Sequence, residues 1–88
     1  MVYDTKKHLL ISGKKGIKLS KLEHKLLICL SSTNIVTYEE ILKYIYNFDM
    51  KRIHAIRNLI NRFRIKTELD VRTVQGRGFI LKSRIYYE

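Results

Sequence analysis

The sequence predicts a single α+β domain with short N-terminal antiparallel strands, three helices and a C-terminal β-hairpin. Three observations lead to this fold class. β-prone runs lie at both ends of the chain, two capping-box sequences lie in its middle, and a basic amphipathic segment follows the second box. The 88 residues, 45% of them hydrophobic, suffice for one core, so we expect one domain over residues 1–88.

Residues 1–19 are predicted to form the N-terminal strands. Val2–Asp4 and residues 8–12 have the composition of short strands. The glycines and lysines of residues 13–16 predict a turn that leads into residues 17–19.

Two capping boxes predict the first two helices of a three-helix core over residues 20–66. Ser20 and Glu23 have the spacing in which a serine side chain and a glutamate side chain cap each other's backbone N–H groups. Thr37 and Glu40 repeat that spacing. The apolar faces are predicted to consist of Leu22, Leu26, Leu27 and Leu30 in the first helix and Ile41, Leu42 and Ile45 in the second. Residues 31–34 are expected to end the first helix.

A third helix is predicted over residues 50–66, capped by Asp49. Its apolar residues fall within an arc of roughly 120° at 100° per residue; they are Ile53, Ile56, Leu59, Ile60 and Phe63. The opposite side holds Lys51, His54, Asn58, Asn61 and Arg62, with Arg57 and Arg64 on a flank. Residues 50–67 contain six Lys or Arg and no acid, so this face repels itself unless something negative docks there. A plain solvated basic face is the alternative.

The C-terminal residues 67–88 are predicted to be a hairpin followed by a tail. Val71, Thr73 and Val74 lead into a glycine-containing tip, and Phe79 leads away from it. Arg77 stands between two glycines, where the backbone can approach a ligand closely.

Charge predicts a polyanionic partner. The net charge is +10, with +4 in residues 1–19, zero in residues 20–48 and +6 in residues 49–88. No apolar run is long enough to span a membrane, no secretory signal is visible, and the single Cys29 has no disulfide partner. We expect a cytoplasmic protein in which Cys29 is a small buried core residue.

This order of elements is that of a winged helix-turn-helix, and the sequence resembles the OmpR/PhoB-type DNA-binding domain, ToxR/CadC-like variants included. The resemblance rests on four stretches: residues 17–27, residues 35–46, residues 60–66 and residues 73–79. They resemble the family's start of helix one, its Val–Val–Ser–Arg–Glu–Glu–Leu–Leu segment, its Ile–Ser–Arg–Leu–Arg–Lys–Lys recognition helix and its Thr–Val–Arg–Gly–x–Gly–Tyr wing. Gln75 departs from the usual wing arginine.

The resemblance implies sequence-specific binding of double-stranded DNA by a bacterial-type transcriptional regulator. The third helix would enter the major groove and the wing the minor groove. The predicted base readers are Asn58 and Arg62. The predicted phosphate or flank contacts are Lys51, His54, Arg57, Asn61, Arg64, Lys66 and Tyr46. The predicted wing contacts are Thr73, Gln75 and Arg77.

The family also implies a contact with RNA polymerase through residues 47–50, in which Phe48 could instead fill the core, and a free monomer that pairs on DNA. A winged-helix adaptor that binds an acidic protein, without specific DNA binding, is the alternative function. Catalysis is not expected, because His8, His24 and His54 are scattered along the sequence and no two carboxylates share a catalytic motif. We expect no cofactor, no metal and no membrane partner.

Overall fold

The computed structural model describes residues 1–32 and 34–88, which form two β-sheets and three α-helices. The strands are β1 (Val2–Asp4), β2 (Leu9–Ser12), β3 (Lys15–Lys18), β4 (Val36–Thr37), β5 (Val71–Val74), β6 (Gly78–Leu81) and β7 (Tyr86–Tyr87). The helices are α1 (Lys21–Leu30), α2 (Tyr38–Tyr46) and α3 (Ala55–Thr67), with a short 3-10 helix at Met50–Arg52.

The first sheet has the strand order β3-β2-β1-β7. Strand β1 has its predicted bounds and pairs antiparallel with β2 in the register Val2 to Ile11. Strand β2 begins one residue later than predicted, because His8 takes a left-handed conformation with φ of 53°. The turn after β2 is also shorter than predicted, because Lys15 and Gly16 already belong to β3 and pair with β2.

The C-terminal residues correct the prediction of a tail. Tyr86 and Tyr87 form β7, which pairs in parallel with β1. The Tyr86 backbone N donates to the Met1 carbonyl at 2.9 Å, and Glu88 N donates to the Tyr3 carbonyl at 2.9 Å. The two ends of the chain therefore lie side by side in one sheet.

Both predicted capping boxes are present. The Ser20 N–H donates to Glu23 Oε1 at 2.8 Å, and Glu23 N–H donates to Ser20 Oγ at 3.2 Å. Thr37 and Glu40 make the same reciprocal pair at the start of α2. Helix α1 ends at Leu30 with Ser31 as its C-cap. Thr33, part of the predicted stop, lies outside the described residues.

The third helix begins later than predicted. Asn47 and Phe48 are left-handed, with φ of 49° and 63°, and Asp49 then accepts a hydrogen bond from Lys51 N at 3.1 Å. This bond joins the Asp49 side chain to the backbone of the second residue after it and closes a tight turn. A tight turn favours a 3-10 helix over the start of an α-helix here. The α-helical part begins only at Ala55.

The hydrophobic core joins the helices to both sheets. Helix α3 buries Ile56, Ile60 and Phe63 completely, whereas Ile53 and Leu59 are half-buried. The other fully or nearly fully buried side chains include Tyr3, Leu10, Leu26, Leu27, Leu30, Ile41, Leu42 and Phe79. Two residues that were predicted to be buried are more exposed than expected. Leu22, in the first turn of α1, is 37% exposed, and Cys29 is only half-buried.

A second sheet with the order β4-β6-β5 attaches the predicted hairpin to the helices. Strand β4 is absent from the sequence prediction, and it pairs antiparallel with β6, Val36 opposite Phe79 and Thr37 opposite Gly78. A Cβ at Gly78 would lie 2.0 Å from the Val36 carbonyl oxygen, so the close approach requires glycine. The result is a winged helix: α2, a turn, α3 and a hairpin wing. The predicted α+β winged-helix fold is confirmed.

Candidate nucleic-acid interface

Helix α3 presents a polar face away from the core. Its residues Asn58, Asn61, Arg62 and Ile65, which we name the α3 face, are all exposed. At 100° per residue they lie within an arc of about 100° on one side of the helix. Within residues 1–32 and 34–88, the polar ends of Asn58, Asn61 and Arg62 make no side-chain hydrogen bond, so their donors are available to a ligand.

The wing places a basic tip beside the start of α3. Gly76 turns the chain with φ of 75°, and Arg77 N donates to the Val74 carbonyl at 3.0 Å. Gln75 and Arg77 are both exposed. Gly76 lines a groove of about 400 Å³ together with Tyr38, Ile53, His54 and Arg57. The tip and the start of α3 therefore form one continuous concave surface.

Arg64 joins α3 to the wing through two side-chain contacts. Its Nη2 donates to Thr73 Oγ1 at 2.7 Å, and its guanidinium carbon lies 5.9 Å from the centre of the Phe79 ring. Arg64 Nε is buried without a hydrogen-bond partner among the described residues. Leaving that N–H unpaired costs free energy, so the contacts with Thr73 and Phe79 must offset it. The structure thus brings Arg64 and Thr73 together as a link between α3 and the wing.

Tyr38 is a further link that the sequence reasoning missed. Its ring packs edge-on against Phe79 with centroids 5.1 Å apart, and its hydroxyl lies 3.5 Å from Arg57 Nε, which donates to it. This hydrogen bond raises the pKa of Arg57 above its ordinary value. The signal was present in the sequence, since Tyr38 stands where the resembled family pattern has arginine, directly after the Thr37 cap.

Lys66 lies apart from the α3 face. Its Nζ makes an ion pair with Glu23 Oε1 at 2.7 Å, which joins the end of α3 to the start of α1. Burial acts to raise the pKa of Glu23, but hydrogen bonds from Lys66 and Ser20 outweigh it and leave the pKa below its ordinary value. Lys66 is therefore already paired with an anion of the protein itself.

The remaining predicted residues fall into two groups. Lys51 and His54 are exposed on the segment that leads into α3, and His54 lines the groove that also contains Gly76 of the wing. Tyr46 is half-buried and packs against the hydrophobic core. The structure therefore places His54 and Arg57 between the wing and the start of α3, Arg77 at the exposed wing tip, and Tyr46 and Lys66 away from the α3 face.

Two of the histidines meet, although they are far apart in sequence. The rings of His8 and His24 stack with centroids 3.9 Å apart, and Tyr3 Oη lies 2.6 Å from His24 Nδ1. Burial, followed by the neighbouring His8, lowers the pKa of His24. Within the described ranges, no three His, Cys, Asp or Glu side chains lie close enough together to hold a metal ion.

Another groove lies away from the α3 face. It has a volume of about 680 Å³ between α1 and α2, and Ile28, Cys29 and Tyr44 are among its lining residues. Burial raises the pKa of the Cys29 thiol to about 11, so the thiol stays protonated at neutral pH and is a poor nucleophile.

Comparison with known proteins shows the fold. No protein-family model matches the chain. No curated protein matches it either. A solved structure of a RitR mutant superposes with a TM-score of 0.80 at 23% sequence identity, over 93% of this chain. The chain spans 40% of that RitR chain. None of the helices among the described residues is both long enough and apolar enough to cross a membrane.

Proposed function

We propose that this chain binds double-stranded DNA sequence-specifically and regulates transcription as an OmpR/PhoB-type domain. The observation that carries the proposal is the α3 face, a set of exposed amide and guanidinium groups beside an exposed basic wing tip. An α-helix fits the major groove, where every base pair displays its own pattern of donors and acceptors. The winged-helix fold shared with RitR supports the proposal.

Each exposed residue has a role that follows from its chemistry. Arg62 can donate two hydrogen bonds to a guanine, and Asn58 can pair with an adenine edge. Lys51, Arg57 and Arg77 supply positive charge to the phosphates and the minor groove. Arg64 and Thr73 hold the wing at its angle to α3, so we assign them a positioning role before any contact of their own.

The turn between α2 and α3 is the proposed contact for RNA polymerase. Phe48 and Met50 are 59% and 64% exposed there, beside the basic start of α3. Exposed large apolar side chains suit a protein partner better than a phosphate backbone. The same observation favours the second candidate, an adaptor that binds protein without specific DNA binding. The free protein would be a monomer in the cytoplasm that pairs on DNA, without catalytic activity or a cofactor.

Selection of bound sequences from random duplex DNA separates the two functions. We expect the purified protein to enrich one sequence family and to bind it about 1,000-fold or more tightly than random duplex at physiological salt. Enrichment of no sequence, together with loss of protein partners in a Phe48→Ala variant, would favour the adaptor and overturn specific DNA binding. The matched control variant is Ile28→Ala, which removes an exposed apolar side chain from α1 instead.

A further inference from the structure

Ile65 is the most exposed large hydrophobic side chain in the part of the chain that the structure describes. It is 80% exposed and is the last residue of the α3 face along the helix, one helical turn after Asn61 and Arg62. At 100° per residue its direction falls between those of Asn61 and Asn58. An apolar side chain therefore stands among the groups that we assign to DNA bases.

The two neighbours of Ile65 point elsewhere. Arg64 bonds to Thr73 of the wing, and Lys66 pairs with Glu23 of α1. Ile65 has neither contact and projects between them, away from the protein. An exposed β-branched residue also lowers helix propensity relative to lysine, which the resembled family pattern has at this place. A single exposed isoleucine is ordinary on a protein surface, but one that shares its helix face with three exposed polar side chains is not.

We propose that Ile65 contacts the C5 methyl group of a thymine in the major groove. The assignment rests on the proposed function and deepens it. Thymine is the only ordinary DNA base that displays a methyl group there, and apolar side chains recognise it by direct contact. Asn58 and Arg62 can read bases only through hydrogen bonds, so Ile65 gives the α3 face a third kind of reader. The contact would remove both the isoleucine side chain and the methyl group from water.

The surroundings of Ile65 favour a base over a protein partner. A protein interface is anchored by contiguous apolar or aromatic side chains. The residues one turn before Ile65 on this face are Asn61 and Arg62, whose polar ends would need partners in any interface. A groove edge offers the methyl group and the hydrogen-bonding atoms side by side, which fits this mixed face.

The test replaces each thymine of the selected duplex, one at a time, by deoxyuridine, which lacks only the C5 methyl group. We expect one or two positions at which the wild type loses about four-fold in affinity, the scale of one buried methyl-sized group. At those positions Ile65→Ala should show less than about 1.5-fold difference between thymine and uracil. Ile65→Val keeps a branched apolar side chain and should keep most of the wild-type ratio. Ile28→Ala, on the exposed side of α1, should keep the full ratio.

Each outcome decides a different claim. A thymine-to-uracil penalty that disappears only in Ile65→Ala supports the assignment. If a preferred sequence is found but the penalty is the same in the wild type and Ile65→Ala, the thymine contact is overturned while the proposed function stands. If Ile65→Ala weakens all duplexes equally at every base, Ile65 serves packing or a protein contact, and the assignment is again overturned. If no sequence is selected at all, the proposed function fails and the assignment fails with it.

Discussion

The two basic ends of the chain carry similar charge but present it differently. Residues 1–19 hold five lysines and one acid, and residues 49–88 hold ten basic and four acidic residues. In the first region the lysines lie on short strands and turns, and Lys18 Nζ donates to the Lys7 carbonyl. In the second region arginine and asparagine lie on one helix face beside a projecting hairpin tip.

The difference teaches that net charge indicates only a class of partner, while the geometry of the donors indicates which surface to propose as the site. A lysine ammonium is a compact point charge, whereas guanidinium and amide groups are planar and can match a base edge with two hydrogen bonds. A rigid helix also holds such groups at a fixed spacing, which a turn of lysines does not. We therefore expect the first region to add general attraction to DNA and the second to add recognition.

The largest expected effect compares a glycine of each region. Gly78→Ala should lower the free energy of unfolding by about 3 kcal/mol, because the new Cβ would meet the Val36 carbonyl oxygen. Gly13→Ala, at a turn with φ of 60° and nothing within 4 Å of the new Cβ, should cost about 1 kcal/mol of backbone strain. Urea unfolding followed by circular dichroism measures both. Equal losses would mean that the wing docks less closely on β4 than described.

The next effect concerns base reading within the second region. Arg62→Ala should lose about 1–3 kcal/mol of binding free energy on the preferred duplex and far less on random duplex. Lys51→Ala removes one positive charge outside the α3 face and should weaken all duplexes alike. Fluorescence anisotropy on both duplexes measures the ratio. An Arg62→Ala variant that loses equally on both would make Arg62 a phosphate contact.

A smaller effect compares the two hairpin tips. Replacing an A·T-rich flank by G·C should cost the wild type about 1 kcal/mol, because the narrow minor groove that attracts Arg77 is lost. Arg77→Ala should show almost no flank penalty, since it has already lost the sensitive contact. Lys14→Ala, which removes a cation from the other hairpin turn, should keep the wild-type penalty. Equal flank penalties in all three proteins would leave the wing tip without a minor-groove role.

The smallest effect is a pH dependence at the contact between the first region and α1, where His8 stacks on His24. The pKa of His24 is lowered below its ordinary value of 6.5 by burial and by the stacked His8. The unfolded chain then takes up this proton at a higher pH than the folded chain, so stability is present above about pH 6.5 and falls on acidification. We expect the urea midpoint to drop between pH 7 and pH 5, with a flatter profile in His24→Phe. An unchanged profile in that variant would assign the drop to other groups.

Local sequence signals predicted most helices and strands. The strands that they missed form by pairing with residues far away in the sequence. The boxes at Ser20 and Thr37 and the hairpin tip at Gly76 are short-range features, because capping and turn chemistry act over a few residues. Strand β4 pairs with β6 about forty residues away, and β7 pairs with β1 across almost the whole chain. Two-residue strands carry no periodicity of their own, so only the assembled fold reveals them.

The sequence predicted which residues form the candidate site more completely than it predicted how those residues are arranged in space. Periodicity placed Asn58 and Arg62 opposite the core, where the structure also has them. It did not reveal that Lys66 pairs with Glu23, because that partner comes from a different helix. Ile65 was missed for the opposite reason, since an apolar residue on a polar face carries no signal in a search for basic side chains.

Two charge-matched triple variants test the central claim most directly. One carries Arg57→Gln, Arg62→Gln and Arg77→Gln around the α3 face, and the other carries Lys6→Gln, Lys14→Gln and Lys15→Gln in the first region. Affinity for duplex DNA measured against salt should show the first variant losing specific binding, through Arg62, and flattening the log–log slope by about 2, roughly one counterion each for Arg57 and Arg77. The second variant should keep its sequence preference and change the slope by less than about 1. Equal losses in the two variants would contradict the account, because DNA binding would then follow net charge alone.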